Sequence, residues 1–294
     1  MRIGNLEVTD PVPELNKPHA LAIIRPWLDL SNVGSLVLQE IEKSLNAKIL
    51  AKLDRPGDFF DFTRYRPTLT IQGNKTQTTF PTTVIHYGRL KSGQDLLLMN
   101  ILEPHSHAES YVESIIDFLN FFNVGRYSLI GSVYDLIPYT RPLFVTGNAS
   151  DLSLRNELAV YGVVPSEYQG QTSALSIIAE RAQQSGIETC SFVVHLPNYL
   201  VMADDYRGKK RLIEIISNFY SVPLSQEDTE KAREQEDRVK VLAEQFLQEN
   251  PQGRIILQQL EESYDARVKN QKQTQLSPEV EKFLREVSNR FKEE

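Results

Sequence analysis

The run Leu96-Leu97-Leu98-Met99-Asn100-Ile101-Leu102 has one polar side chain in seven residues and stops at Glu103-Pro104. A strand with one wet face alternates apolar and polar residues; one without that alternation is covered on both faces, as in a parallel sheet between helix layers. Val112, Ile115, Ile116, Leu119 and Phe122 follow as a helical stripe. Strand and helix together make a β-α unit, and the pattern repeats on either side. Ala20 to Ile24 reads as a buried strand, with Val33, Leu36, Val37, Ile41 and Leu45 at helical spacing behind a Ser31-Asn32 start signal. Between these units, Ile49–Leu53, Leu69–Ile71 and Val84–Tyr87 read as further strands, broken at Pro56-Gly57 and Gly73-Asn74. Beyond them come strands at Tyr127–Ile130, Leu143–Thr146 and Thr189–His195, with helices over about 172–184 and 209–220. Such alternation predicts an α/β fold with a mostly parallel or mixed sheet sandwiched between helices.

At 294 residues, with 40% hydrophobic side chains, the chain buries a core without staples. A lone cysteine, Cys190, forms no internal disulfide and reads as an inert core residue. A formal charge of -7 argues against nucleic acid, which demands clustered Lys and Arg. No apolar run is long enough to span a membrane, and Met1-Arg2-Ile3-Gly4-Asn5 leads into polar, Pro-rich sequence rather than a signal region, so a cytoplasmic protein is expected. Residues 226–294 hold 16 acidic and 12 basic side chains, a far denser charge than the rest. That shift predicts a core over 1–225 and a helical extension over 226–294. In the extension Val239, Leu242, Phe246 and Leu247 make one stripe, and Ile256, Leu260 and Tyr264 a second. The last helix starts at Ser277-Pro278 and carries Val280, Phe283, Leu284, Val287 and Phe291 along one face, a stripe that wants a partner.

Motifs with fixed catalytic mechanics are absent: no GxxxxGK[ST], GxGxxG, HExxH, CxxC or GxSxG occurs. No cofactor and no metal is expected. Polar clusters nevertheless follow the strands, where ligands of open α/β sheets bind. Glu103-Pro104-His105-Ser106-His107 sets a carboxylate beside two imidazoles; a metal site of Glu103, His105 and His107 competes with a turn in which Ser106 caps the next helix. Gly131-Ser132-Val133-Tyr134-Asp135 precedes Pro138-Tyr139-Thr140-Arg141-Pro142, where Arg141 either grips an anion or pairs with a carboxylate such as Glu103. His195 ends its strand facing the same side, and Trp27 follows the first strand. A hydrolytic triad using Ser132 or Ser106 lacks a strained nucleophile turn.

Six blocks in register carry a family likeness: Pro26-Trp27-Leu28-Asp29; Asp61-Phe62-Thr63-Arg64-Tyr65-Arg66-Pro67; Leu97 to Pro104; Ile137-Pro138-Tyr139-Thr140-Arg141-Pro142; Val194-His195-Leu196-Pro197-Asn198-Tyr199-Leu200; and Leu260 to Asp265 with Glu281 to Arg285. Through them the chain resembles the proteasome assembly chaperone-like family, second-chaperone type, in its bacterial branch. The resemblance implies a three-layer αβα core like that of nucleoside phosphorylases and related hydrolases, a helical extension and a homo-oligomer. It implies no known reaction. Asn100, Tyr139 and Asn198 depart from the residues common in the family, and the chain ends Arg290-Phe291-Lys292-Glu293-Glu294, without the hydrophobic-Tyr-any tail that docks on proteasome rings. The function expected is a non-catalytic, oligomeric binding or assembly-chaperone-like protein with protein partners. The competing expectation is an enzyme on a phosphorylase-like scaffold, in which Glu103, His105, Ser132, Tyr139, Arg141 and His195 line one crevice for a small anionic or nucleoside-like ligand.

Overall fold

A computed structural model describes residues 1–73, 75–223, 228–250 and 252–268. The stripe from Val280 to Phe291 lies outside the described residues. Among the described residues, twelve strands and seven α-helices follow one another as β1 (Arg2–Ile3), β2 (Leu6–Val8), β3 (His19–Arg25), α1 (Val33–Ser44), β4 (Lys48–Leu53), β5 (Thr68–Gln72), β6 (Lys75–Thr79), β7 (Val84–Arg89), β8 (Asp95–Leu102), α2 (Ala108–Phe121), β9 (Arg126–Asp135), β10 (Val145–Gly147), α3 (Leu152–Val160), β11 (Val164–Pro165), α4 (Ala174–Gln184), β12 (Glu188–Pro197), α5 (Tyr206–Tyr220), α6 (Thr229–Glu249) and α7 (Gln252–Val268).

Ten strands form one mixed sheet in the order β1-β2-β4-β7-β8-β3-β9-β12-β10-β11. Its centre, β8-β3-β9-β12, is parallel, with His19 opposite Leu96 on one side and Arg126 on the other, and Arg126 opposite Glu188. Antiparallel strands flank it on both sides. The predicted strand at Leu69–Ile71 exists, but it pairs only with β6, in a hairpin apart from the main sheet whose described residues are exposed throughout.

The run Leu96–Leu102 divides between two cores, as the two-residue period of a strand requires. Leu97, Met99 and Ile101 pack with Ala20, Ala22 and Ile24 beneath Tyr111 and Ile115 of α2 and Ile178 of α4. Leu96 and Leu98 face the other way, with Leu21 and Ile23, against Ile41 of α1 and Leu212 and Ile216 of α5. Complete burial of each Leu, Ile and Met among them stabilises the fold by about 1.5–3 kcal/mol.

Two helix starts differ from the sequence reading. Ser31 and Asn32 precede α1, but the carboxylate of Asp29 does the capping: it accepts from Ser35 N at 3.0 Å and from Ser35 Oγ at 2.5 Å. Ser106 does not cap α2; the cap position is His107, in the left-handed region at φ 50°, and Ser106 Oγ donates to Asp58 O at 2.6 Å. At Gly131 a Cβ would stand 2.6 Å from Leu28 O, so the loop after β3 lies directly on β9 and Ser132 N donates to Leu28 O at 2.8 Å.

Helix α6 is tied to the sheet side by Lys209, only 4% exposed, which bridges Glu40 of α1 at 2.8 Å and Asp228 at the head of α6. Gln235 continues the seam, accepting from Tyr206 N and donating to Asp204 O, each at 2.8 Å. Val239 and Leu260 meet Tyr199 and Leu200 in a small third apolar cluster. Among the described residues no helix is long and apolar enough to cross a membrane.

Candidate functional site

The carboxyl ends of β3 and β8 open into a groove of about 910 Å³. Pro26 and Trp27 continue β3, Glu103 to His105 continue β8, and Phe60 to Tyr65 form the opposite wall. The walls are bound to each other: His105 N donates to Phe59 O at 2.8 Å, and Tyr65 Oη donates to Glu103 O at 3.1 Å. The Tyr65 and His105 rings lie 4.6 Å apart, and His105 Nδ1 accepts from Asp61 N at 3.1 Å, which leaves the neutral ring its proton on Nε2. Trp27 is 51% exposed, unusual for the only tryptophan of the chain.

Glu103 is held from a direction the sequence did not indicate. Its Oε1 accepts from Ala174 N, at the start of α4, at 2.9 Å, while Oε2 is buried with no hydrogen-bond partner. Burial pushes its carboxyl above the ordinary carboxylate value, and the Ala174 N–H only partly opposes this. Glu103, His105 and His107 do not assemble as ligands: His107 stands edge-on to Phe59, and among the described residues no group of three His, Cys, Asp or Glu side chains could hold a metal ion.

The other predicted residues lie elsewhere. Ser132 is fully buried, and its hydroxyl donates to Leu30 O at 2.7 Å. Arg141 does not pair with Glu103. Its Nη1 donates to Glu261 Oε1 at 3.1 Å and its Nε to Asp265 Oδ1 at 3.1 Å, both on α7. Thr140 also hydrogen-bonds Glu261, and Tyr264 Oη donates to Pro142 O at 2.8 Å. Tyr139 donates its backbone N–H to Tyr199 Oη at 2.9 Å. Thus Glu103 and His105 line the first groove, whereas Tyr139 and Arg141 line a second, of about 600 Å³, with Arg207, Lys210 and Arg211. The single crevice expected from the sequence is replaced by two grooves, because the loops after β8 and β9 serve different neighbours.

His195 stands in a chain of bonds with the spacing of a hydrolytic triad: Asp135 Oδ2 lies 2.7 Å from Nδ1, and Thr146 Oγ1 lies 2.9 Å from Nε2. The surroundings make it architecture. Thr146 is 8% exposed and sits within β10, paired with Val193, not at a turn where a nucleophile is presented. Asp135 also accepts from Arg267 Nη1 of α7 at 2.8 Å, and that guanidinium rests 4.7 Å over Phe144. Burial pushes the Asp135 carboxyl up, but the bonds from His195 and Arg267 outweigh it and hold the group well below the ordinary range. The bonds of Asp135 and Thr146 to His195, and of Arg267 to Asp135, span so many residues that they leave no local pattern in the sequence.

The six sequence blocks therefore build two places. The first three supply the Trp27 groove; the fourth and fifth dock α7 through the Leu260–Asp265 part of the sixth, and Glu281 to Arg285 lie outside the described residues. Comparison with known proteins gives these blocks a common setting. The sequence matches the model of the PAC2 family over residues 23–243. A PAC2 family protein from Streptomyces avermitilis is similar in structure at 24% identity and TM-score 0.71, covering 79% of this chain and 98% of its own. A proteasome-assembly chaperone homologue of Mycobacterium tuberculosis superposes at 19% identity and TM-score 0.67, covering 75% of this chain and 93% of its own. Pyrococcus furiosus PbaB, an archaeal proteasome activator, does so at 15% and 0.63, covering 81% and 97%. A search of curated protein sequences finds no match. Matched by the family model over three quarters of its length, the chain belongs to the PAC2 family.

Proposed function

We propose that this chain is a non-catalytic, self-associating binding module of the assembly-chaperone kind, working in the cytoplasm on protein partners and without a cofactor. One observation carries the reading: of the side chains that a reaction would need, three are taken up by the protein itself. Ser132, Arg141 and His195 are bonded to a backbone carbonyl, to α7 and to Asp135 with Thr146, respectively. An exposed indole, that of Trp27, lines the first groove, a group suited to contact and not to proton or acyl transfer. The M. tuberculosis and P. furiosus relatives, described as a proteasome-assembly chaperone homologue and a proteasome activator, support it. In this reading residues 1–225 are the scaffold, 226–294 the extension, and Val280, Phe283, Leu284, Val287 and Phe291 contact a partner.

The second reading, an enzyme acting on a small anionic or nucleoside-like ligand, is favoured by one feature, the cluster of Arg141, Arg207, Lys210 and Arg211 along the second groove. Thermal unfolding separates the two. A ligand of the native state at a hundred times its Kd adds about 2.7 kcal/mol of stability. The binding-module reading expects no such rise with nucleosides, nucleotides, inorganic phosphate or divalent metals. A rise with phosphate or a nucleotide that disappears in Arg211→Ala would replace it with the second reading.

A further inference from the structure

The hairpin of β5 and β6 is a two-stranded ribbon, and its described residues are exposed on both faces. Such ribbons are marginal on their own in water and normally need a third strand or a packed surface. Leu69 and Ile71 share one face, and they stand 61% and 70% exposed opposite Thr78 and Thr76. That face carries no charge. At the root of the hairpin Phe80, 49% exposed, stacks on Phe62 at 5.2 Å and extends the apolar strip toward the Trp27 groove. Tyr65, which lines that groove, lies three residues before the hairpin begins.

Charge narrows what could cover the strip. Residues 62–80 contain no Asp or Glu and carry Arg66 and Lys75, besides Arg64, which pairs with Asp61 at 3.9 Å, in a chain of formal charge -7. A basic arm on an acidic body is complementary to another copy of the same body. Geometry narrows it further. The arm leaves the fold between the wall of the groove and the start of β7, and β7 runs antiparallel to β8, whose carboxyl end opens the groove. Arm and groove thus lie at the same end of the sheet, so a two-fold axis at that end lets each copy offer its arm to the other, and the contact closes at two.

We propose that two copies of this chain exchange their β5-β6 arms, the Leu69 and Ile71 face of each seating in the groove of the other against Trp27, Phe60 and Tyr65, with Lys75 and Arg66 directed at the partner's acidic surface. The proposal rests on the self-associating reading given above and names its surface.

Sedimentation of the full chain and emission of its sole tryptophan, both followed over about a hundredfold dilution, test it, since association obeys mass action. The wild type is expected to sediment at twice the chain mass when concentrated, with blue-shifted emission that moves red as the dimer dissociates. Leu69→Ser with Ile71→Ser, both exposed in the single chain, is expected to remain folded by circular dichroism, with the Tm of the diluted, dissociated wild type, while losing the dimer and the shift together. Lys75→Glu with Arg66→Glu should weaken the dimer in low salt. A wild type that associates while the Leu69→Ser, Ile71→Ser variant does so equally overturns the arm but not self-association. Association that responds to the arm without any change in emission overturns the groove as its seat. A wild type that stays monomeric throughout overturns self-association as well.

Discussion

His19 opens β3, edge-on to the Tyr220 ring at 5.9 Å. Burial, helped by the nearby Arg126 and opposed by Glu188, lowers its pKa from the ordinary 6.5 to about 4. The sign of the consequence follows from which state takes up the proton. Below pH 6.5 the unfolded chain is protonated at His19 while the folded chain is not, so acid favours unfolding. Stability from this residue is therefore complete above 6.5, falls between 6.5 and about 4, and levels off below. Asp135, held low by His195 and Arg267, contributes a separate loss only at more acidic pH, below the ordinary carboxylate range. Urea unfolding at a series of pH values is expected to show a decline starting near 6.5 that is absent in His19→Gln, whose whole curve lies lower because the ring contact is gone. An unchanged decline in that variant would assign it to another group.

At the scale of elements, α7 is fastened to the end of β9 and to the loop between β9 and β10 by two sets of bonds of different worth. Arg267 and Asp135 are mostly buried, with side chains 16% and 23% exposed, and Phe144 lies under the guanidinium. A hydrogen bond to a charged group in such a place is worth about 1.5–3 kcal/mol. Arg141 pairs with Glu261 and Asp265 at 32%, 26% and 46% exposure, where solvent screens the charges and each pair is worth about 0–1 kcal/mol. Arg267→Ala is thus expected to cost about 2 kcal/mol and Arg141→Ala less. Hydrogen exchange should rise over Gln252–Val268 in Arg267→Ala while β3 and β8 stay protected, since opening one element leaves the sheet intact. Equal losses in the two variants, or exchange that spreads into the central strands, would show that the fastening is not ranked by burial.

Across the whole molecule, what the sequence disclosed depended on how local each feature was. The central strands were legible because Ala20–Ile24 is a continuous apolar run and Leu96–Leu102 one broken only by Asn100, as a doubly covered strand needs. The edge strands Arg2–Ile3 and Leu6–Val8 were not, since two or three residues cannot display a period. The arm was readable as a strand at Leu69–Ile71, but periodicity does not say whether a strand joins the main sheet. The site was half legible: placement after strands located Glu103 and His105 beside Trp27, whereas Arg141 found carboxylates 120 and 124 residues away, beyond any spacing rule. Those distant bonds decide what the extension does for the core. Without residues 228–268, Lys209 keeps one carboxylate of two, Asp135 loses Arg267, and Tyr139, Tyr199 and Leu200 lose Val239 and Leu260. The two large cores, by contrast, contain no residue beyond Val222. A chain ending at Pro223 is therefore expected to keep its sheet and helices by circular dichroism, unfold at a lower Tm, and bind a hydrophobic dye that the full chain ignores. Unfolding at the full chain's Tm would mean that the extension is only appended, and loss of all structure would mean that the sheet cannot form until α6 and α7 have docked.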